Sequence, residues 1–440
     1  MIELDATHDP ARRSWVDSAN DGTTDFPIQN LPLGIFSLDG HERRFGIAVG
    51  DVILDVGYAH ARGWLAGDAG EAARLGQAGS LNALLAAGQA PLRALRRQVS
   101  WLLDVQQVAR DVREAAHHGL LHERSRCTMH LPVRVGNYTD FYAGIYHARA
   151  AGALLTPENP LPANYTWVPI GYHGRASSVS VGQGQAIRRP LGQRPPRSPG
   201  EAPDVGPCQR LDFELEMGFY VGAGNAQGQP IPMRQAHEHI AGYCLLNDWS
   251  ARDIQRWEMF PLGPFLSKNF GTMVSPWIVT ADALAPFRVP AMPREPDLPA
   301  PLPYLTDASD QAHGGLDVQL SVSLQTAVMR QHGIDSIEIL RSNARHLYWT
   351  PAQMLAHHSS GGCNMEPGDL LGTGTISGPL PEQLSSLLEL THGGTRPVRL
   401  PHGEQRGFLE DGDEITFQGR CAREGFASLG FGQVRGVVGA

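Results

Sequence analysis

The stretch "LDFELEMGF", Leu211–Phe219, alternates apolar and acidic residues and is the best guide to the fold. In a β-strand, successive side chains point to opposite faces. One face would then hold only apolar residues: Leu211, Phe213, Leu215 and Met217. The other face would hold three acids: Asp212, Glu214 and Glu216. Because three carboxylates on one face repel each other, the pattern predicts either a solvated face or a bound divalent cation.

Other segments downstream have the same strand character. They are "IAGYCLLND", "SPWIVT", "LDVQLSVSL" and "DEITFQG". The chain also has 50 Gly and 33 Pro in 440 residues, which favours many turns over long helices. Two proline-rich stretches, residues 188–207 and 285–304, are expected to be extended loops or lids, because proline cannot serve a central strand. We therefore predict a mainly β fold with some α-helix.

The first third of the chain has a different organisation. Residues 33–60 alternate apolar and polar side chains around "DG" and "GD" turns, which predicts a meander of short strands. From residue 70 to 121 the apolar spacing becomes helical. These patterns predict an N-terminal domain at residues 1–130 and a C-terminal catalytic domain at residues 131–440.

Composition limits the partners that this chain can have. The formal net charge is −9 and no basic run is longer than two arginines, so nucleic-acid binding is not expected. No segment reaches the length of about 20 apolar residues that a membrane span needs. The first residues lack the apolar core of a signal peptide. We expect a cytoplasmic protein that acts on a small molecule.

A second acidic segment is "GYCLLNDWSARDIQRWE", residues 242–258. An apolar strand runs into Asp248, so this acid is expected at a strand end. Ser250 and Asp253 have the spacing of a capping box, which predicts the start of a short helix. Arg252 and Gln255 would then share one helical face and point toward the same place.

A third segment, "GNYTDFYAGIYHARAAG", contains Asp140, Tyr142 and His147. If Asp140 opens a helix, His147 lies two turns further along the same face. This spacing would bring a metal ligand and a general base side by side.

Lys268, in "GPFLSKNFGT", is the only lysine in the chain. Arginine replaces lysine everywhere else, which costs little on a solvated surface. The replacement costs more where a compact ammonium with a tunable pKa is needed. The position of this single lysine therefore indicates a chemical role.

Taken together, these segments resemble the fumarylacetoacetate hydrolase family. The resemblance covers essentially the whole chain and is densest from Tyr138 to Gly378. The strings that carry it include "YTDFY", "GYHGRASS", "LDFELEM", "NDWSARDIQ", "PLGPFL" and "GTISG". The resemblance implies an SH3-like β-barrel in the N-terminal domain, a mixed β-roll in the catalytic domain, and assembly as a homodimer. It also implies hydrolysis of a carbon–carbon bond in a diketo acid, the last step of tyrosine breakdown.

The resemblance further implies a role for each candidate residue. The ligands of a Mg²⁺ or Ca²⁺ ion would be Asp140, Glu214, Glu216 and Asp248. His147 would activate water, and Glu389 would orient it. The residues that handle the substrate and its developing negative charge would be Arg252, Gln255 and Lys268. The remaining pocket residues would be Tyr142, Tyr172, Thr375 and Met259.

Two positions depart from the family pattern. Thr156 stands where relatives have an arginine, and Met259 where they have a tyrosine. Because both family residues help to bind a substrate carboxylate, a related acylpyruvate hydrolase is an alternative. A non-catalytic metal or ligand binder is a second alternative, but it predicts loss of the His147 and Glu389 pair, and both residues are present.

Overall fold

Three large β-sheets organise the chain in the computed structural model, which describes residues 3–38, 40, 42–196 and 198–439. Helices are mostly short and lie between the strands or in the N-terminal part. The predicted predominance of strands is confirmed.

The first sheet is antiparallel and belongs to the N-terminal part. Its order is Leu121–Glu123, Val52–Asp55, Arg44–Val49, Leu33–Leu38 and Cys127–His130. The predicted meander is present, although Asp39 and His41 of its first turn lie outside the described residues. The helices that follow the first three strands are Val56–Ala61, Gly67–Leu75, Asn82–Ala86, Gln89–Leu103 and Arg110–Glu114.

The second sheet has eight strands with both parallel and antiparallel pairing, and it carries Asp140, Tyr172, Glu216 and Asp248. Its main path runs through Gly171–Gly174, Tyr138–Phe141, Leu370–Gly372, Leu215–Val221, Ile240–Asp248, Thr272–Val274 and Val179–Val181. The eighth strand, Val279–Thr280, pairs with Ile240–Asp248. We call this the central sheet.

The third sheet packs against one face of the central sheet. Its order is Ile337–Asn343, Gln319–Gln325, Glu414–Cys421, Leu429–Gly439 and Gln183–Arg188. Small two-stranded pairs complete the described strands: Leu191–Arg194 with Asp204–Pro207, Leu211–Asp212 with Ser250–Ala251, Arg288–Val289 with Gly315–Leu316, and Val398–Arg399 with Gln405–Arg406. The first proline-rich stretch is therefore partly strand. Leu191–Arg194 and Asp204–Pro207 form a hairpin, and the segment between them is rich in proline.

The remaining helices are short, and two local predictions about them are wrong. These helices are Ile145–Leu155, Met233–Ala236, Arg252–Glu258, Ala308–His313, Ala327–Gln331, Pro351–Ser359 and Leu387–Leu390. Asp140 does not open a helix, because it pairs within a strand and the helix starts five residues later. Ser250 does not cap the helix at Arg252, because it pairs with Asp212 as strand and its hydroxyl donates to the Asp248 carbonyl at 3.0 Å.

Both faces of the central sheet are buried. On one face, Leu215, Met217 and Phe219 belong to the large core shared with the third sheet. On the other face, Tyr220 and Leu246 belong to a core shared with the N-terminal part. The sheet therefore leaves no solvated face for the acids that alternate with these residues.

The described residues contain no helix that is both long and apolar enough to cross a membrane.

The contact of Phe213, which lies just before the central strand Leu215–Val221, with the third sheet gives a test of the packing. The rings of Phe213 and Phe417 are fully buried and meet edge to face with centroids 5.7 Å apart. We expect Phe417→Ala to lower the free energy of unfolding by about 3–5 kcal/mol, because it leaves a cavity between the sheets. Gln418 is exposed on the same strand, so Gln418→Ala is the matched control. It should change the free energy of unfolding by less than about 0.5 kcal/mol. Equal losses in chemical denaturation would contradict this packing.

Candidate active site

The pairing in the central sheet brings the acidic residues together at one end of its strands. Asp140 lies opposite Tyr172 on one side and Gly372 on the other. Asp248 ends its strand opposite Thr272, and its N–H donates to the Glu214 carbonyl at 3.3 Å. The strands therefore end together at a patch of carboxylates.

Four buried acids form this patch, which we call the acidic cluster: Asp140, Glu214, Glu216 and Asp248. Each offers a carboxylate oxygen, and these oxygens lie within 4.8 Å of one another. Burial and the nearby charge of Asp248 raise the pKa of Asp140 well above its usual value. Burial and the charge of Asp140 do the same to the pKa of Glu216. The cluster therefore holds more negative charge than its protein surroundings balance.

Lys268 supplies part of the missing positive charge. Its Nζ donates to Glu214 Oε2 at 2.6 Å and to Asp248 Oδ2 at 2.5 Å, and its side chain is only 5% exposed. Burial alone would lower the pKa of Lys268, but the charges of Asp248 and Glu214 raise it above the usual lysine value. The only lysine of the chain is thus a charged group inside the acidic cluster.

The donor set fits a divalent cation. Asp140 Oδ1 and Glu216 Oε1 are buried and have no hydrogen-bond partner. A buried, unpartnered carboxylate oxygen is costly unless a cation occupies it. Oxygen-only donors of this kind suit Mg²⁺, Ca²⁺ or Mn²⁺ rather than Zn²⁺.

Two glycines make room for this arrangement. A Cβ on Gly372 would lie 2.4 Å from Asp140 Oδ1, closer than any side chain tolerates. Gly374 has φ +76°, a left-handed conformation that favours glycine, and its N–H donates to Glu216 Oε2 at 2.9 Å. The motif "GTGTISG" is therefore a close approach of backbone to the acidic cluster.

Arg252 connects the acidic cluster to its surroundings. Its Nη1 donates to Glu214 Oε1 at 2.7 Å and to Gln255 Oε1 at 3.1 Å, as the shared helical face predicts. Its Nε donates to Asp212 at 2.9 Å, while its Nη2 is buried without a partner. Burial would raise the pKa of Glu214, but the charges of Lys268 and Arg252 hold it below its usual range. One guanidinium N–H group thus remains for a ligand.

His147 and Glu389 form a buried pair beside the acidic cluster. His147 Nδ1 lies 2.9 Å from Glu389 Oε2, and its Nε2 lies 4.0 Å from Glu214 Oε1. Burial would raise the pKa of Glu389, but His147 and hydrogen bonds from Ser386 and Ser377 bring it below its usual value. This is the arrangement of a base and the carboxylate that orients it.

The other predicted pocket residues lie at different distances from this centre. The Tyr172 hydroxyl is 2.8 Å from Asp248 Oδ2 and 3.2 Å from Asp140 Oδ2. The Tyr142 ring meets His147 edge to face with centroids 5.7 Å apart. Thr375 is buried, and its hydroxyl has no partner.

The two departures from the family pattern are not in contact with the acidic cluster. The Thr156 hydroxyl donates to the carbonyls of Gly152 and Asn159 at 3.3 Å, where its helix ends. Met259 is partly exposed at the end of helix Arg252–Glu258.

A cavity of about 370 Å³ reaches Lys268 and Tyr172 from outside. Its polar lining includes His173, Arg175 and Asn269, and Phe265 lies on its rim. The acidic cluster is therefore buried but lies behind an accessible opening.

Sequence reasoning missed the residues that hold the site residues in place. Ser386 accepts from the Glu389 N–H at 3.4 Å and donates to its carboxylate at 2.8 Å. The S-x-x-E spacing in "SLLE" is a helix-start signal that could have found this pair. Asp212 was grouped with Glu214 and Glu216, yet it is not part of the acidic cluster. The alternation of residues does not separate it from them, whereas the family resemblance does.

Comparison with known proteins identifies related chains over almost the full length. The profile described as "Fumarylacetoacetate (FAA) hydrolase C-terminal" matches residues 137–438, and that described as "Fumarylacetoacetase N-terminal" matches residues 29–132. The fumarylacetoacetase of Bos taurus is 47% identical over 431 residues, covering 97% of this chain and 98% of its own. That of Homo sapiens is 46% identical and that of Arabidopsis thaliana 42% identical, each with the same coverage.

A solved structure shares the fold at lower identity. The fumarylacetoacetate hydrolase from psychrophilic Exiguobacterium antarcticum aligns with a TM-score of 0.50 and 18% identity, covering 93% of this chain and 99% of that chain.

Glu216 gives a test of the acidic cluster that does not need a substrate. Because burial and Asp140 raise its pKa, its ionisation destabilises the metal-free protein as pH rises, by about 1.4 kcal/mol for each unit of elevation. We expect Glu216→Gln to raise the melting temperature of the metal-free protein at neutral pH, with no gain below about pH 4, where the glutamate is protonated in both states. We also expect it to abolish the stabilisation by Mg²⁺ or Mn²⁺, which for the wild type is about 2.7 kcal/mol at 100 times Kd.

The exposed residue Glu238 offers the control variant Glu238→Gln, which should change neither quantity. Unchanged stabilisation of Glu216→Gln by the cation would contradict the assignment of Glu216 as a ligand.

Proposed function

This chain belongs to the fumarylacetoacetate hydrolase family, and from that membership we propose that it hydrolyses a carbon–carbon bond of fumarylacetoacetate to give fumarate and acetoacetate. The support is identity of 42–47% to fumarylacetoacetases from mammals and a plant over nearly their full length. The reaction would be the last step of tyrosine breakdown.

The observation that carries the proposal is the position of a base beside a cation site. His147 Nε2 lies on the side of Glu214, and Nδ1 faces Glu389. A proton on Nδ1, which lies 2.9 Å from Glu389 Oε2, would leave Nε2 to take a proton from water. A non-catalytic binder would have no need of this buried pair.

The residues that would hold the cation are Asp140, Glu214, Glu216 and Asp248. When a divalent cation is bound there, it supplies Lewis-acid polarisation of a carbonyl. Mg²⁺ and Ca²⁺ are both compatible with oxygen donors, since selectivity between them depends on the size and rigidity of the site.

Fixed positive charge would stabilise the oxyanion that forms when water adds to the carbonyl. Arg252 has a buried N–H group without a partner, and Thr375 has a free hydroxyl. Lys268 lies in the same cluster, and Gln255 contacts Arg252. One donor directed at such an oxyanion contributes about 3–4 kcal/mol to lowering the barrier.

The runner-up within the family is hydrolysis of an acylpyruvate on the same scaffold. Thr156 and Met259 favour it, because Thr156 lacks the positive charge of the arginine and Met259 lacks the hydroxyl of the tyrosine that relatives have at these positions. The match of residues 29–132 to a fumarylacetoacetase N-terminal profile favours fumarylacetoacetate.

The finer structural and cellular expectations also remain proposals. Family membership supports an SH3-like barrel at residues 1–130, a β-roll at residues 131–440, a homodimer and a cytoplasmic location. Exposed Phe260, Leu262 and Phe265 support the dimer, because large apolar side chains close together on a surface are typical of an interface.

The function is tested by following the loss of ultraviolet absorbance of fumarylacetoacetate with and without a chelator. We expect fast loss that the chelator abolishes and that Mg²⁺ or Ca²⁺ restores, because the carbonyl needs polarising. An acylpyruvate is the control substrate and should react slowly. Faster cleavage of the acylpyruvate would favour the runner-up, and no reaction with either would contradict both hydrolase proposals.

Lys268→Arg tests the need for a compact ammonium in the acidic cluster. We expect folded protein whose kcat for fumarylacetoacetate falls more than about tenfold, because a planar guanidinium cannot take the place of Nζ between two carboxylates. Arg406→Lys is the matched control, since Arg406 is also buried and paired with a carboxylate, Asp413, but is not a candidate site residue. Wild-type turnover by Lys268→Arg in the absorbance assay would exclude this role.

A further inference from the structure

We propose that Asp212 is a positioning residue that fixes Arg252 and the segment carrying Glu389 relative to each other, on either side of His147. Its effect on catalysis rests on the proposed hydrolase function. Its effect on the local structure does not.

Each carboxylate oxygen of Asp212 accepts two hydrogen bonds. Oδ1 accepts from the N–H groups of Phe213 and Leu387, both at 2.8 Å. Oδ2 accepts from the Leu388 N–H and from Arg252 Nε, both at 2.9 Å. Asp212 is 0% exposed, so these four donors occupy both oxygens inside the protein. It has no oxygen left for a cation or a substrate.

The first group that Asp212 positions is the Arg252 side chain. Asp212 holds the guanidinium by Nε, and Glu214 and Gln255 hold it by Nη1. Because the guanidinium is planar, these contacts fix the direction of Nη2, which is buried without a partner. Asp212 thus determines where the free N–H group of Arg252 points.

The second group that Asp212 positions is the short helix Leu387–Leu390. Asp212 accepts from the first two N–H groups of this helix, and the next residue is Glu389. Glu389 Oε2 lies 2.9 Å from His147 Nδ1. Asp212 therefore anchors the backbone from which the His147 partner extends.

His147 lies between the two groups that Asp212 positions. One ring nitrogen faces Glu389, and the other lies 4.0 Å from Glu214 Oε1, the atom to which Arg252 Nη1 donates. A displacement of about 1 Å between reacting groups can cost about a hundredfold in rate. Loss of Asp212 would loosen both sides of His147 together.

A purely structural role is the competing explanation, and the chain contains a matched control for it. Asp413 is also 0% exposed, accepts from Arg406 Nε at 2.8 Å and Nη2 at 3.1 Å, and accepts from the Glu410 N–H at 2.8 Å. None of its partners is a candidate site residue. Asp413→Asn should therefore cost stability as Asp212→Asn does, without changing turnover.

The test combines kinetics with double-mutant cycles. We expect Asp212→Asn to lower kcat for fumarylacetoacetate by about tenfold or more, with KM within about threefold, and Asp413→Asn to leave both unchanged. If Asp212 acts through Arg252 and Glu389, its substitution should cost less in kcat in either the Arg252→Gln or the Glu389→Gln background than in the wild type, and less than about threefold when both are changed. The full penalty in both backgrounds would overturn the proposal.

Hydrogen exchange gives a second measurement that needs no turnover. We expect the amides of Leu387 and Leu388 to exchange at least about tenfold faster in Asp212→Asn, while Asp413→Asn leaves them unchanged. Unchanged exchange in Asp212→Asn would overturn the anchoring role. If the wild type does not cleave fumarylacetoacetate, the proposed function fails, and hydrogen exchange still decides whether Asp212 anchors this segment.

Discussion

Repulsion between four buried carboxylates is the constraint on which this structure depends. Their oxygens lie within 4.8 Å of one another on a sheet with both faces covered. Such a cluster is unfavourable without cations, because a buried site lacks the water that screens the repulsion between like charges. Lys268 and Arg252 supply part of the required positive charge, and a divalent cation at the unpartnered oxygens of Asp140 and Glu216 would supply the rest. The protein thus maintains electrostatic repulsion at the site where we propose that its chemistry takes place.

The charges form layers around this cluster. Glu214 takes donors from both Lys268 and Arg252, and Arg252 in turn takes the carboxylate of Asp212. Glu214 and Arg252 therefore each have an oppositely charged partner one step further from the cluster. Removing one partner of such a buried pair typically costs about 3–5 kcal/mol, because the other charge is left without compensation. Stability and site geometry are consequently difficult to change separately here.

The sequence predicted the acidic face and the strand end at Asp248, because a period of two is readable over nine residues. It did not predict that Asp140 lies in a strand, because a single segment of "YTDF" fits the start of a helix as well as a short strand. Ser250 was misread for a similar reason, since its strand pairing with Asp212 is a tertiary contact that its neighbours do not encode. The separation of Asp212 from Glu214 and Glu216 also depends on pairing, because the strand is interrupted between Asp212 and Leu215. Family resemblance, rather than spacing, brought Glu389 and Thr375 into the candidate site.

The burial of Lys268 has a consequence for the chemical character of the surface. The chain has 36 lysine and arginine residues, and Lys268 is the only lysine among them. The other 35 are arginines. Lysine-directed acylating reagents and enzymes that modify lysine amines have a single side-chain target on this protein, and its reactivity is low because the side chain is 5% exposed and Nζ donates to two carboxylates. Acylation at residue 268 would therefore report opening of the site or unfolding, which makes this amine a built-in probe of the integrity of the acidic cluster.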